Sequence, residues 1–293
     1  MYKIALIASQ HLDGHAAHLA ELLAVLDRPD VRLYLDPGFE TMLREQFGLE
    51  PRLAGHLSPY PTPLDVDFVL SLGGDGTFLR AARRVFAQEI PVLGLNMGRL
   101  GFLTDRGVTE ALPLMERLFT EDYTLETRML LSVEVDGQCQ GDVLNEVALL
   151  KRETGSMITI HTMLGDDFLA DYDCDGLIIA TPSGSTAYSL GAGGPLMMPG
   201  SRCMLLTPIA PHSLTMRPLV VPEATDLELS VRARNNSYML VLDGQARILP
   251  CGTKVRIRKS TRQLQVMHLQ PHSFADTLRR KLLWAAPVRD SAP

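Results

Sequence analysis

Near residue 125 the chain changes its periodicity, and that change limits what it can fold into more than any single motif does. Upstream, short apolar runs alternate with segments whose apolar residues recur at three- and four-residue spacing. Residues 4–8, 31–35, 67–72 and 91–95 read as strands, and 15–26, 78–86 and 109–118 as helices. Strand then helix, repeated, predicts an α/β N-terminal domain with a parallel sheet over residues 1–125. Downstream of Thr127 the period is two. The run 131–135 ends in an Asp136-Gly137 turn, and 226–233, 238–242, 254–258 and 263–268 alternate likewise. Asn235-Asn236, Asp243-Gly244 and Cys251-Gly252 mark turns between them. This grammar predicts an all-β, antiparallel C-terminal domain over 126–270. Residues 276–284 read as a closing helix, in a tail (271–293) that returns to the α/β domain.

Bulk composition narrows the class. The chain has 293 residues, 46% hydrophobic and 21% charged, enough for one large core or two of medium size. A net charge of −6 argues against a nucleic-acid binder that works by bulk electrostatics. The local exception, eight Lys/Arg between Gly252 and Trp284 against Asp276 alone, reads as a solvated face. Cys139, Cys174, Cys203 and Cys251 form no CxxC pair, which predicts reduced, mostly buried thiols rather than disulfides or a zinc site. No apolar run reaches the roughly 18 residues of a membrane span, and MYKIALIASQ reads as a first strand rather than a signal peptide. A cytoplasmic protein with no membrane partner is expected.

The densest chemical signal follows the third strand: Gly73-Gly74-Asp75-Gly76-Thr77. Ligands of open parallel sheets sit at the carboxyl ends of the strands. Glycines there let backbone N–H groups approach a phosphate, and the following helix adds a partly positive N-terminus. The carboxylate itself cannot bind phosphate. It is left with proton transfer, metal binding or helix capping. No GxxxxGK[ST] and no GxGxxG occur, so neither a Walker-type site nor a dinucleotide fingerprint is present. A second cluster, CDGLIIATPSGSTAYSLGAGGP (174–195), offers hydroxyls, glycines and close backbone approach suited to a flat polar ligand. Asn145-Glu146, a polar pair inside an apolar run, needs partners that a ligand's hydroxyls would supply.

Together these pieces resemble the NAD kinase family. GGDGT, LGLNMGRLGFLTD (93–105), the Asn-Glu pair, the 174–195 segment, PIAPHSLTMRPLVVP (208–222) and Asp243-Gly244-Gln245 occur in that family's order. GGDGT alone is shared with diacylglycerol-type lipid kinases and 6-phosphofructokinases; STAYSLGAGGP with the Asn-Glu pair is more specific. The resemblance implies a two-domain fold and transfer of the ATP γ-phosphate to the 2′-hydroxyl of the adenosine ribose of NAD, giving NADP. It implies Asp75 as general base and Gly73, Gly74, Gly76 and Thr77 as the phosphate loop. NAD contacts are implied for Asp75, Gly76, Phe78 and Arg80, for Asn145, Glu146 and Asp175, and for Thr186, Ala187, Tyr188, Ser189 and Gln245. It also implies a divalent metal, Mg2+, arriving with ATP, and a homodimer or homotetramer.

Two positions depart from the family pattern. Gly191 stands where a serine is common, and Asp173 where a basic residue is common; Asp173 is expected to face solvent. The lipid-kinase alternative lacks its GGTANDFA-like run, and a 6-phosphofructokinase is disfavoured by the all-β second half. A non-catalytic sensor of NAD or NADP shares the same residues. His11, His15 and His18 fall at i, i+4 and i+7 but read as a solvated helix start, His212 as a packing histidine, and Met197-Met198 as core filler.

Overall fold

The computed structural model describes residues 1–98, 101–104, 106–153, 155–270 and 273–284. The chain divides into two units, Met1–Glu126 with Gln265–Pro293, and Thr127–Leu264. In the first unit β1 (Tyr2–Ala8), β2 (Val31–Leu35), β3 (Gly55–His56), β4 (Phe68–Leu72) and β5 (Val92–Asn96) form a parallel sheet. β6 (Arg106–Gly107) adds parallel to β5. The strand order is β3-β2-β1-β4-β5. The chain therefore winds outward from β1, then restarts beside it at β4 and winds the other way. Such a reversal opens a crevice at the carboxyl ends of the two strands that flank it. β4 and β5 are buried at every residue, as central parallel strands covered on both faces are.

The helices of this unit show how local chemistry sets their ends. α1 (Ala16–Leu26) buries Leu19, Leu22 and Leu26. α2 (Pro37–Phe47) is absent from the sequence reading, which assigns no element between 35 and 67. Asp36 Oδ1 accepts from Gly38 N at 2.8 Å, Pro37 occupies the first turn, and Gly48 closes the helix at φ 65°. α3 (Asp75–Val85) begins three residues before its expected start at Phe78, because extended Gly74 takes the N-cap. The helix expected over 109–118 is instead α4 (Val108–Ala111) followed by a 3-10 segment, Leu112–Leu118. Pro113 cannot donate the α-helical bond there. The core joins Leu6, Leu33, Leu70 and Leu95 of the strands to Leu22, Leu43 and Met115. Truncating any one of these to Ala costs roughly 2–5 kcal/mol.

The second unit is a two-sheet sandwich. One sheet runs β14 (Leu219–Pro222), β13 (Cys203–Ile209), β12 (Gly176–Ala180), β9 (Glu146–Leu150), β16 (Ser237–Leu242), β17 (Gln245–Pro250), antiparallel throughout. The other contains β7 (Thr124–Val135), β8 (Gln138–Val143), β10 (Ile158–Leu164), β11 (Asp167–Cys174), β15 (Leu227–Arg232) and β18 (Lys254–His268). Val147, Ile179, Met204 and Leu240 of the first sheet share one core with Val133, Ile160, Leu229 and Val255 of the second. α5 (Tyr188–Gly191) is a single turn after a 3-10 segment, Ser183–Thr186.

Several expectations change here. The two strands expected at 254–258 and 263–268 are one, since Lys259–Gln263 holds no Gly or Pro to break it; its start pairs with β15 and its end, Val266–Met267, with β5. The closing helix α6 (Phe274–Leu282) starts two residues early, where Ser273 Oγ accepts from Asp276 N at 3.3 Å. The four cysteines are free thiols, but only Cys174 is buried. Met197 is buried while Met198 is 60% exposed.

Candidate functional site

Asp75 is the first residue of α3, yet it does not cap the helix. Its carboxylate reaches across to the loop after β5. Oδ2 accepts from Phe102 N at 2.9 Å; Oδ1 accepts from Leu103 N at 3.1 Å, Thr104 N at 3.2 Å and Thr104 Oγ1 at 3.1 Å. Thr104 Oγ1 in turn accepts from Asn96 Nδ2 at 2.9 Å, and both residues are buried. The loop comes so close that a Cβ on Gly101 would lie 1.8 Å from Asp75 Oδ1. Oδ1 is saturated; Oδ2, with one partner, keeps a lone pair for an incoming hydroxyl.

The neighbours of Asp75 divide into surface and core. Gly74 and Gly76 are exposed, and their missing side chains face open space. Thr77 and Phe78 were expected to touch ligands, but they are 8% and 0% exposed. Thr77 N already donates to Gly74 O at 3.0 Å. Both residues pack α3 onto the sheet. The guanidinium of Arg80 donates to the Ala8 carbonyl at the end of β1.

In the second unit a different carboxylate repeats the same geometry. Asp243 stands at φ 44° and Gly244 at φ 80° in the tight turn between β16 and β17. Asp243 Oδ2 accepts from Leu144 N at 2.7 Å, and Oδ1 from Asn145 N at 2.8 Å and Glu146 N at 3.1 Å. From the other side Thr181 N donates to Asn145 O at 2.9 Å, and Thr181 Oγ1 accepts from Gly184 N at 3.1 Å. A Cβ on Gly184 would lie 2.0 Å from Asn145 O, so this position requires glycine. The backbone of Asn145-Glu146 is thus gripped on both sides.

Their side chains are the unusual part. Asn145 Oδ1 and Glu146 Oε2 are buried with no hydrogen-bond partner. Native proteins rarely leave such acceptors bare. The Glu146 carboxyl is pushed up to about 7, first by burial and then by the charge of Asp243, while a hydrogen bond to the Tyr188 backbone pulls the other way. Two buried acceptors, one half-protonated at neutral pH, suit a ligand that brings hydroxyl donors.

The other expected contacts separate by exposure. Thr186 Oγ1 donates to Ser183 O at 3.0 Å, Ala187 is half-buried, and Tyr188 is 44% exposed. Ser189 is 0% exposed with its Oγ 2.8 Å from Thr207 Oγ1. Asp175 pairs with Lys151 Nζ at 2.6 Å. Gln245 is exposed at the start of β17. The two departures have simple settings: Gly191 has open space around it, and exposed Asp173 accepts from Thr159 Oγ1 at 2.7 Å. Sequence reasoning gave no role to Thr104, Asn96, Thr181 or Lys151, although the first three lie within the motifs at 93–105 and 174–195, and it gave Asp243 no role beyond its turn and motif position.

An α/β unit with a glycine loop at a strand end, followed by a β-sandwich with a gripped polar pair, is the arrangement of a two-domain nucleotide phosphotransferase. The chain belongs to the ATP-NAD kinase family and is a kinase: residues 60–123 match the ATP-NAD kinase N-terminal domain and 144–269 the ATP-NAD kinase C-terminal domain. It is 49% identical over 290 residues to the NAD kinase of Porphyromonas gingivalis strain W83, covering 99% of this chain and 100% of that one. Identity to the NAD kinase of Bacteroides fragilis strain NCTC 9343 is 38% over 290 residues, covering 98% and 99%. The fold is similar to that of yeast NADH kinase complexed with NADH, with a TM-score of 0.89 at 20% identity over 100% of this chain and 90% of that one. It is also similar to an Archaeoglobus fulgidus NAD kinase in complex with ATP, at 0.71 and 24% over 95% and 99%. No helix among the described residues is long and apolar enough to cross a membrane.

Proposed function

We propose that the chain phosphorylates the 2′-hydroxyl of the adenosine ribose of NAD at the expense of ATP, with Asp75 as general base. The observation that carries this reading is the pair of unpartnered buried acceptors, Asn145 Oδ1 and Glu146 Oε2, in a chain whose curated relatives are NAD kinases. In this reading the ribose hydroxyls of the dinucleotide satisfy those acceptors, with Thr186, Ala187, Tyr188, Asp175 and Gln245 contributing further contacts. Gly74 and Gly76 leave room for the phosphates at the N-terminus of α3, while Gly73, buried at φ 150°, makes room for Thr77. The 2′-oxygen attacks the γ-phosphorus, the bond from that phosphorus to the β–γ bridging oxygen breaks, and ADP leaves. The hydroxyl proton passes to Asp75 Oδ2. Phosphoryl transfer is mostly positioning and charge neutralisation, so one oriented carboxylate suffices as base.

Among the described residues no three His, Cys, Asp or Glu side chains converge to hold a metal ion. In this reading a divalent ion, Mg2+, arrives bound to ATP as part of the substrate and would neutralise phosphate charge. A homodimer or homotetramer and a cytoplasmic location complete the reading; light scattering and fractionation check them.

The test is incubation of purified protein with ATP, magnesium and NAD, reading NADP through an NADP-specific dehydrogenase, beside a lipid substrate. NADP formation without lipid phosphorylation supports the reading. Lipid phosphorylation, or NAD bound by calorimetry without turnover, contradicts it.

A further inference from the structure

Asp75 Oδ1 is held by Thr104, and Thr104 in turn by Asn96, the last residue of β5. A buried primary amide must place both its donor and its acceptor end. Asn96 Oδ1 accepts from Gly98 N at 2.7 Å. A backbone N–H can only donate, so this contact fixes which end of the amide is oxygen. The Nδ2 end then donates to Thr104 Oγ1 at 2.9 Å, with the Thr104 carbonyl at 3.4 Å. A hydroxyl has one proton. Thr104 accepts from Asn96, so its own proton goes to Asp75 Oδ1, 3.1 Å away. We infer that Asn96 is a positioning residue for the phosphoryl transfer: it sets the direction of a hydrogen-bond chain that occupies Asp75 Oδ1 and leaves Oδ2 to take the proton. The inference rests on the kinase reading above and adds what selects the reactive oxygen.

Two further observations support it. The first is the shape of β5. Gly94 and Asn96 are two residues apart and so lie on one face of the strand. A Cβ on Gly94 would lie 2.9 Å from Thr104 Cγ2. The strand therefore makes room for Thr104 at one position and bonds its hydroxyl at the next. The second is the uneven load on the carboxylate. Oδ1 accepts from Leu103 N, Thr104 N and Thr104 Oγ1, and Oδ2 from Phe102 N alone. The backbone N–H groups hold the carboxylate as a whole; the Thr104 hydroxyl adds its donor at one oxygen only. Without the Asn96 amide nothing directs that hydroxyl proton toward Asp75.

The test separates holding the loop from directing the proton. Asn96→Asp keeps an acceptor for Gly98 N but, when ionised, has no proton to donate and draws the Thr104 hydroxyl toward itself. Asn96→Leu is the second variant should the buried charge prevent folding. The single-turnover rate at saturating ATP and NAD should fall roughly three- to tenfold, as for the loss of one hydrogen bond, with the KM for NAD within about twofold. In an Asp75→Asn background the same substitution should change the rate by less than about twofold, because the base it positions is gone. Thr104→Ser, which keeps the hydroxyl, should stay within about threefold of wild type. The Thr104 hydroxyl proton, read by NMR, should exchange slowly in wild type and faster in Asn96→Leu. A wild-type rate in both Asn96 variants overturns the proposal, and so does an equal loss in the Asp75→Asn background, which would make Asn96 a support of the fold alone. If wild type makes no NADP, the kinase reading fails, yet the hydroxyl proton still decides the chain: unchanged slow exchange in Asn96→Leu overturns it.

Discussion

Asp75 and Asp243 make the same clasp in different surroundings. Each carboxylate accepts three successive backbone N–H groups, from residues 102–104 in one unit and 144–146 in the other. Asp75 stands half-exposed between exposed glycines, so its clasp leaves an oxygen toward solvent. Asp243 is 9% exposed; its charge acts on a neighbour, raising the carboxyl of Glu146. A carboxylate clasp alone therefore does not define a function. What the carboxylate can still reach decides whether it serves as a base or as a foundation.

That comparison can be broken at several points. The largest effect is expected from Asp75→Asn, a fall in turnover of roughly 10²- to 10⁴-fold in the steady-state assay. Gly184→Ala forces a Cβ onto the Asn145 carbonyl and should cost roughly 1–3 kcal/mol of stability by denaturant titration, with NAD binding lost alongside. Asp243→Asn turns an amide toward N–H donors and should cost roughly 1–3 kcal/mol, while lowering the pH at which Glu146 titrates.

Next in size is pH. Because folding raises Glu146 to about 7, its contribution to stability is complete below its ordinary 4.5 and is lost as pH rises through 7. Glu146→Gln should remove that dependence in pH-resolved melts. A ribose hydroxyl donating to Glu146 favours the ionised form, so NAD should bind roughly tenfold more weakly at pH 6 than at pH 8, with proton release visible by calorimetry in different buffers. The smallest effect is Thr104→Val, which removes one bond to Asp75 and should lower turnover only several-fold, about 1 kcal/mol. A loss as large as that of Asp75→Asn would make Asp75 an anchor for its loop instead of a base.

Periodicity exposed the fold class because it is local: parallel strands, β-alternation and the Asp136-Gly137 and Asp243-Gly244 turns are written within a few residues. α2 escaped because Asp36-Pro37-Gly38 serves equally as a turn and as a capped helix start, and its buried Phe39 and Leu43 are too sparse to force the choice. The clasps escaped for another reason. Asp75 bonds residues 27 to 29 positions away, and Asp243 residues 97 to 99 positions away. Nothing in the spacing of GGDGT or of an Asp-Gly turn names such partners. Motif position also says nothing of which way a side chain faces: Phe78 and Ser189 are both fully buried.

The most direct measurement pairs Asp75→Asn with Asp243→Asn and reads two quantities on each: NAD affinity by calorimetry and single-turnover rate at saturating NAD. A crossed result is predicted. Asp75→Asn should keep NAD affinity within a few-fold while the rate collapses, and Asp243→Asn should lose affinity while keeping most of the rate once NAD is saturating. If both variants lose affinity and rate together, or Asp75→Asn turns over near the wild-type rate, the division of labour between the two carboxylates is wrong.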